Sequence, residues 1–267
     1  MAASTAAAGP SGTGSQTIAT VERAADLLTM FARSDEPSLG VTEIANAMGL
    51  SKAAVHRILA SLRGRGFVEV DEVTRRYRLG PASFALGLSY LSRLDVHRIA
   101  ASELADLSRT TGETATLSVL VGDARIYVDQ VTPAREIVMS VPLGRRFPLH
   151  AGSSSKALLA FLPALELDAL LAVALEPLTG TTLVDADVLR TDLSLVRKRG
   201  YAVSVGERQA GAASVAAPVF DHGGRPVASI SVCGPADRFE SELSHAADLL
   251  MPVTARISTR LGYTVPR

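Results

Sequence analysis

The sequence has a single cysteine, Cys233. This excludes an intrachain disulfide and any metal site built from several thiolates. No run of apolar residues is long enough to span a bilayer, so no membrane partner is expected. The opening MAASTAAAGPSGTGSQ lacks both the basic start and the apolar centre of a signal peptide. It reads as a disordered leader over 1–16, and the chain is expected to be cytoplasmic. Net charge is missing too, because 27 Lys and Arg residues balance 27 Asp and Glu. That balance argues against a protein coated in basic charge but leaves local patches open. What is present is 267 residues, 47% of them apolar, enough for one large domain or two smaller ones with a proper core.

The charge balance is uneven along the chain. Residues 17–50 hold two basic and five acidic side chains, whereas 51–80 hold seven basic and three acidic. The basic stretch opens with SKAAVHRILASLRGRG. Ser51 can cap a helix there, with Val55, Ile58, Leu59 and Leu62 on one buried stripe. Lys52, Ala53, His56, Arg57 and Arg63 are left on the outer face. Two helices are expected before it. TVERAADLLTMF has Thr20 as N-cap and Val21, Ala24, Leu28 and Phe31 at helical spacing. VTEIANAMGL places Ile44, Ala45 and Met48 on one face and ends at Gly49. Two short helices separated by GLS make a helix-turn-helix, whose second helix enters the major groove. GFVEVDEVTRRYRLG then reads as a hairpin, which after a recognition helix is a wing carrying Arg75 and Arg76.

Residues 17–80 are therefore expected to bind DNA, with Ser51, Lys52, Ala53, His56, Arg57, Arg63, Arg75 and Arg76 as contact candidates. Arg57 is the better candidate for a guanine edge, since its fork can bond O6 and N7 together. A phosphate contact is the alternative for both His56 and Arg57.

GPASFALGLSYLSRL follows as a linker helix over 81–94, with Phe84, Leu88 and Leu91 on one side as a dimer contact; packing on its own chain alone is the alternative. Asp95 caps a further helix that ends near Gly112. From there ETATLSVLVGDARIYVDQVT reads as a hairpin and EIVMSVPLG as another strand. Helices are expected at about 153–161, 163–175, 185–199 and 241–262, the last after two long β-runs joined by DHGGR. The order describes an α+β domain over 95–267 with a mainly antiparallel sheet. No G-x-G-x-x-G opens a helix, so a dinucleotide site finds no support.

PLHAGSSSKALLA, residues 148–160, has the look of catalytic machinery. Ser153 and Lys156 form S-x-x-K, one helical turn apart. The S-D-N and K-T-G partners of such hydrolases are absent, and so is the phosphate-binding G-x-x-x-x-G-K-[ST]. A triad through His150 has no specific support. The segment is better taken as a helix start whose free N–H groups face a ligand.

RAADLLTMF…VTEIANAMGLSKAAVHRILASLRGRGFVEV…YRLG, followed by PLHAGSSSKALLA and RGYAVSVGERQAGAASVAAPVFDHGGRPVASISVCGP, resembles the IclR-type transcriptional regulators from about Ile18 onward. Three separated motifs stand in the family's order. The family usually has Gly immediately before the Lys of the second motif, where this chain has Ser155. The resemblance implies a winged helix-turn-helix, a linker helix and a GAF-like effector domain. It also implies a homodimer, often a dimer of dimers, on a pseudopalindromic operator, and a small organic acid or related metabolite as effector. No cofactor or metal is implied.

By position, the effector would meet Ser153, Ser204, Ser214, Ser231 and Cys233, with Met139 as an apolar wall. Glu207 and Arg208 are rim charges or solvated loop residues. Cys233 reads as a packed or pocket thiol. The expectation is a repressor of a catabolic or metabolic operon, not an enzyme. The alternatives are a hydrolase using Ser153 and Lys156, and a ligand-binding module whose N-terminal part contacts protein.

Overall fold

In this computed structural model residues 18–91 and 93–264 are described, and the leader expected over 1–16 lies outside them. The chain divides into two units, one ending at Gly87 and the other beginning at Leu88.

The first unit holds helices α1 (Ala19–Arg33), α2 (Val41–Met48) and α3 (Lys52–Gly64). The antiparallel strands β1 (Val68–Val70) and β2 (Tyr77–Leu79) follow. Its core is the expected stripe of α3, Val55, Ile58, Leu59 and Leu62, packed on Leu27, Phe31, Ile44 and Ala45. Gly49 closes α2 in the left-handed region at φ +63°, which an L side chain rarely adopts. The Ser51 hydroxyl then accepts the Ala54 N–H at 3.2 Å and starts α3. Helix α1 differs from expectation. Ile18 is its N-cap, which puts Thr20 inside the first turn, and Val21 is 62% exposed. At 100° per residue Val21 lies about 70° from the centre of the stripe formed by Ala24, Leu27, Leu28 and Phe31, so Leu27 takes the buried place.

Helix α4 (Pro81–Leu91) leads into α5 (Asp95–Thr111). Asp95 lies in the first turn of α5, where its charge suits the dipole, and Leu94 is the N-cap in its place. The second unit is built on β3 (Thr114–Val121), β4 (Ala124–Val131), β5 (Arg146–Pro148), β6 (Ala202–Val205), β7 (Ala212–Phe220) and β8 (Pro226–Pro235). They form one antiparallel sheet in the order β5-β4-β3-β8-β7-β6. The first of the two expected long β-runs is thus two strands, β6 and β7, separated by the loop 206–211. Between strands lie α6 (Ser153–Leu159), α7 (Ala164–Leu171) and α8 (Ala186–Arg199), and α9 (Ala236–Phe239) and α10 (Leu243–Arg260) end the unit.

Side chains alternate across a strand, and here the alternation separates two chemistries. Ala115, Leu117 and Val119 of β3, Ile230 and Val232 of β8, and Val215 of β7 face α5 and α10 in one apolar core. The intervening residues Thr114, Thr116, Ser118, Ser229, Ser231, Cys233 and Ser214 form a polar opposite face, largely buried. Ala202 and Ala216 on that face pack with Leu158 of α6 and Leu193 of α8.

The strand expected over EIVMSVPLG does not form. Gln130 of β4 occupies its ladder: its side-chain Oε1 accepts the Val141 N–H at 2.9 Å and its Nε2 donates to the Val141 carbonyl at 3.1 Å. Pro142 has no N–H to continue the pairing. Thr114 Oγ pins the Met139 carbonyl at 2.5 Å, holding this segment beside the polar face.

Candidate functional site

Helix α3 presents Lys52, Ala53, His56, Arg57 and Arg63 to solvent, with Ser51 exposed at its cap. None of Lys52, His56 or Arg57 is held by a salt bridge or side-chain hydrogen bond within the described residues, and all three can reach outward. Arg57 also borders a groove of about 490 Å³ between α1 and α3, shared with Arg23 and Arg65. The other basic candidates are partly engaged. Arg63 and Arg75 share the Glu72 carboxylate at 3.8 and 2.7 Å, all three side chains being exposed.

Arg76 is placed differently. Its guanidinium donates to both Glu43 oxygens at 2.9 and 3.0 Å, to Ser38 Oγ at 3.1 Å and to the Ser38 carbonyl at 2.7 Å. It ties the wing to the start of α2 and does not stand on the open face with Arg57. The Gly40 N–H, which bonds Glu43, and Arg76 together hold the Glu43 carboxyl below its ordinary pKa.

In the second unit the six side chains singled out by sequence converge. Met139, Ser153, Ser204, Ser214, Ser231 and Cys233 all line one cavity of about 20 Å³, space for one water. The sheet register explains the convergence: Ser204 pairs with Ser214, Ser214 with Cys233, and Ser231 with Thr116 across the ladders. Ser153, from α6, closes the cavity by donating to Ser214 Oγ at 2.7 Å, and Thr116 and Ser231 share a 2.6 Å bond between hydroxyls. Burial pushes the Cys233 thiol up to about 12, so it sits there as a neutral group.

Lys156 has no part in this lining. It is 2% exposed, and its Nζ meets Glu207 Oε1 at 2.6 Å and Asp192 Oδ2 at 2.8 Å. Ser153 and Lys156 thus serve different neighbours, the hydroxyl bonding Ser214 and the ammonium Glu207. His150 is likewise committed, its Nε2 lying 2.9 Å from the Glu176 carbonyl. Glu207 is neither rim charge nor solvated residue. It is buried, paired with Lys156, and its second oxygen accepts the Gly152 N–H at 3.2 Å. The protein's own carboxylate therefore takes the Gly152 N–H just ahead of α6, while Gly152, Ser153 and Ser154 of that helix start line the cavity.

Sequence reasoning missed Arg125. It is fully buried on β4, lines the same cavity, and donates to Ser155 Oγ, Ser118 Oγ and Tyr127 OH at 2.7, 3.0 and 3.1 Å. Burial lowers its pKa from the usual arginine value, and the nearby Arg208 acts in the same direction. The missed signal is countable. From the Gly122–Asp123 turn, Arg125 falls opposite Leu120, on the same face as Ser118 and Thr116.

A winged helix-turn-helix joined through a helix to a sheet unit with an internal polar cavity defines a ligand-responsive DNA-binding regulator. The family profile for the IclR helix-turn-helix domain matches residues 20–72, and that for the bacterial transcriptional regulator IclR C-terminal region matches 88–259. The chain belongs to the IclR family of bacterial transcriptional regulators. HTH-type transcriptional regulator BhcR of Paracoccus denitrificans is 37% identical over 90% of this chain and 86% of its own length. The glycerol operon regulatory protein of Streptomyces griseus is 36% identical over 92% and 97%. A crystal structure of an IclR transcriptional regulator from Alicyclobacillus acidocaldarius superposes with a TM-score of 0.83 at 29% identity, covering 92% of this chain and all of that one. Among the described residues no helix is long and apolar enough to cross a membrane.

Proposed function

We propose that this chain acts in the cytoplasm as a homodimeric repressor of a catabolic or metabolic operon, and that a small ligand in the cavity of its second unit sets its hold on operator DNA. The observation that carries the reading is the convergence of Met139, Ser153, Ser204, Ser214, Ser231 and Cys233 on one cavity. That cavity lies in a chain that also carries a winged helix-turn-helix. Ser51, Lys52, Ala53, His56 and Arg57 make the groove-facing surface. Arg63 and Arg75 exchange Glu72 for phosphate, and Arg76 serves by fixing the wing rather than by touching DNA.

Dimerisation is supported by α4, where Phe84 and Leu86 are 68% and 61% exposed and Leu88 and Tyr90 are about half exposed. Large apolar side chains exposed along one helix suit contact with a second copy. Two linked DNA-binding units gain avidity that one lacks, and a further pairing of dimers extends the same logic.

The test is binding of the full chain to DNA upstream of its own gene across a salt series, with sedimentation at micromolar concentration. The proposal expects a dimer or tetramer, with affinity falling linearly in log–log form as salt rises. A monomer indifferent to salt and sequence would overturn it.

A further inference from the structure

We propose that the pocket between α7 and β5 is a second small-molecule site, taking a neutral ligand with an apolar body and one hydroxyl, such as a simple phenol or a short alcohol. The pocket holds about 360 Å³, against about 20 Å³ for the first cavity, and no residue lines both. Its walls are apolar. Pro148, Leu149 and Leu159 come from β5 and α6, and Leu171, Leu175 and Leu178 from α7 and the loop after it. Ligand sites begin at about 300 Å³, so this one suits a molecule of modest size. Left empty, such walls forfeit dispersion contacts that an apolar body restores.

The polar groups of the lining decide the class of ligand. His150 Nε2 lies 2.9 Å from the Glu176 carbonyl, which can only accept, so Nε2 carries the proton. In the neutral ring Nδ1 is then an acceptor, and it has no hydrogen-bond partner among the described residues. The imidazole is 7% exposed and lines the pocket, so a hydroxyl brought in by a ligand is the donor that suits it. An anion does not suit the same walls. No cation lines the pocket, its charged residues are Asp123 and Glu176, and Arg146 is already spent on Asp123 at 2.7 Å. The outer wall is fixed in advance. The N–H groups of Leu178 and Thr179 donate to Thr182 Oγ1 at 3.0 and 2.9 Å, and that hydroxyl donates to the Glu207 carbonyl at 2.6 Å.

The test titrates the full chain by calorimetry with phenol, cyclohexanol and 1-hexanol, with the methyl ether of each, and with benzoate. The proposal expects at least one hydroxyl compound to bind, and its ether to bind about fivefold more weakly or worse, because the ether has no proton to give. Ala174 is exposed and lines the pocket, so Ala174→Phe fills the space without disturbing the core. That variant should weaken the hydroxyl compound by about tenfold or more. His150→Phe keeps a flat ring and removes the acceptor, so hydroxyl compound and ether should bind it alike. If His150→Phe does not fold, Ala174→Phe and the wild-type comparison decide the matter. Equal binding of hydroxyl compound and ether by the wild type would overturn the role of His150. Benzoate binding that Ala174→Phe abolishes would overturn the neutral class. Binding that Ser214→Ala weakens and Ala174→Phe spares would place the ligand in the first cavity and overturn the second site. Failure of every hydroxyl compound to bind would overturn it as well, and a change in sedimentation with Ala174→Phe would then give the recess to a second copy of the chain.

Discussion

Replacing Lys156 by methionine asks whether S-x-x-K is a structural latch. The ammonium is 2% exposed and neutralises two carboxylates, Glu207 at 2.6 Å and Asp192 at 2.8 Å. Methionine keeps the apolar stem and removes the charge. Asp192 is 22% exposed, but the Oδ2 that faces the ammonium is buried without another partner, so its carboxylate must turn to meet water. Glu207 is 10% exposed and retains only the Gly152 N–H at 3.2 Å among its strong partners. Breaking a buried pair from one side costs about 3–5 kcal/mol, and partial hydration of Asp192 puts this site at the lower end, about 3 kcal/mol. For a unit of this size that corresponds to a fall of about 6–12 °C in melting temperature. The chain has no tryptophan, so circular dichroism is the suitable probe of urea and thermal unfolding. Adding Glu207→Gln removes the orphaned carboxylate and should recover part of the loss, giving a measurable coupling energy. A single Lys156→Met variant that melts within about 1 °C of wild type would refute the latch.

Other expectations follow from the same geometry. Arg57→Ala should weaken operator binding by about 1–3 kcal/mol and relax base preference at one position per half-site, as fluorescence anisotropy over a set of altered sites can show. Uniform weakening over all sites would make Arg57 a phosphate contact. Ser214→Ala and Ser231→Ala should each weaken ligand binding by about 0.5–3 kcal/mol in calorimetry, and an unchanged affinity in both would contradict the cavity assignment. The reactive form of Cys233 is its thiolate, and burial raises the thiol to about 12. Iodoacetamide should therefore leave the native protein unlabelled at pH 8, with labelling appearing only as the pH nears that value or after unfolding in urea.

What the sequence disclosed, and what it hid, follows the range of the interactions. The buried stripe of α3 and the caps at Gly49 and Ser51 were legible because they depend on neighbours within one or two turns. The converging serines were legible because the motifs kept their order and spacing. Glu207 was misjudged because its partner Lys156 stands 51 residues away. Arg76 was expected among the DNA contacts of the wing, with no sign of its pairing with Glu43, 33 residues away. Neither pairing leaves a periodic trace. The missing strand at 136–144 has a similar origin, since a glutamine side chain occupies the ladder that a backbone was expected to fill. Arg125 lay within reach of simple strand counting, but an arginine two residues past a hairpin turn ordinarily reads as solvated.

The central claim is that ligand and operator are coupled through this chain. Linkage requires the coupling to be reciprocal: a ligand that changes DNA affinity must itself bind DNA-saturated and free protein with different affinity. The direct measurement is the dissociation constant of one small organic acid for the full chain, alone and with its upstream DNA in saturating excess. Couplings of this kind span about 5–150-fold, and the account predicts a ratio within that range, with weaker ligand binding on DNA if the ligand releases the operator. Equal constants in the two states would contradict it.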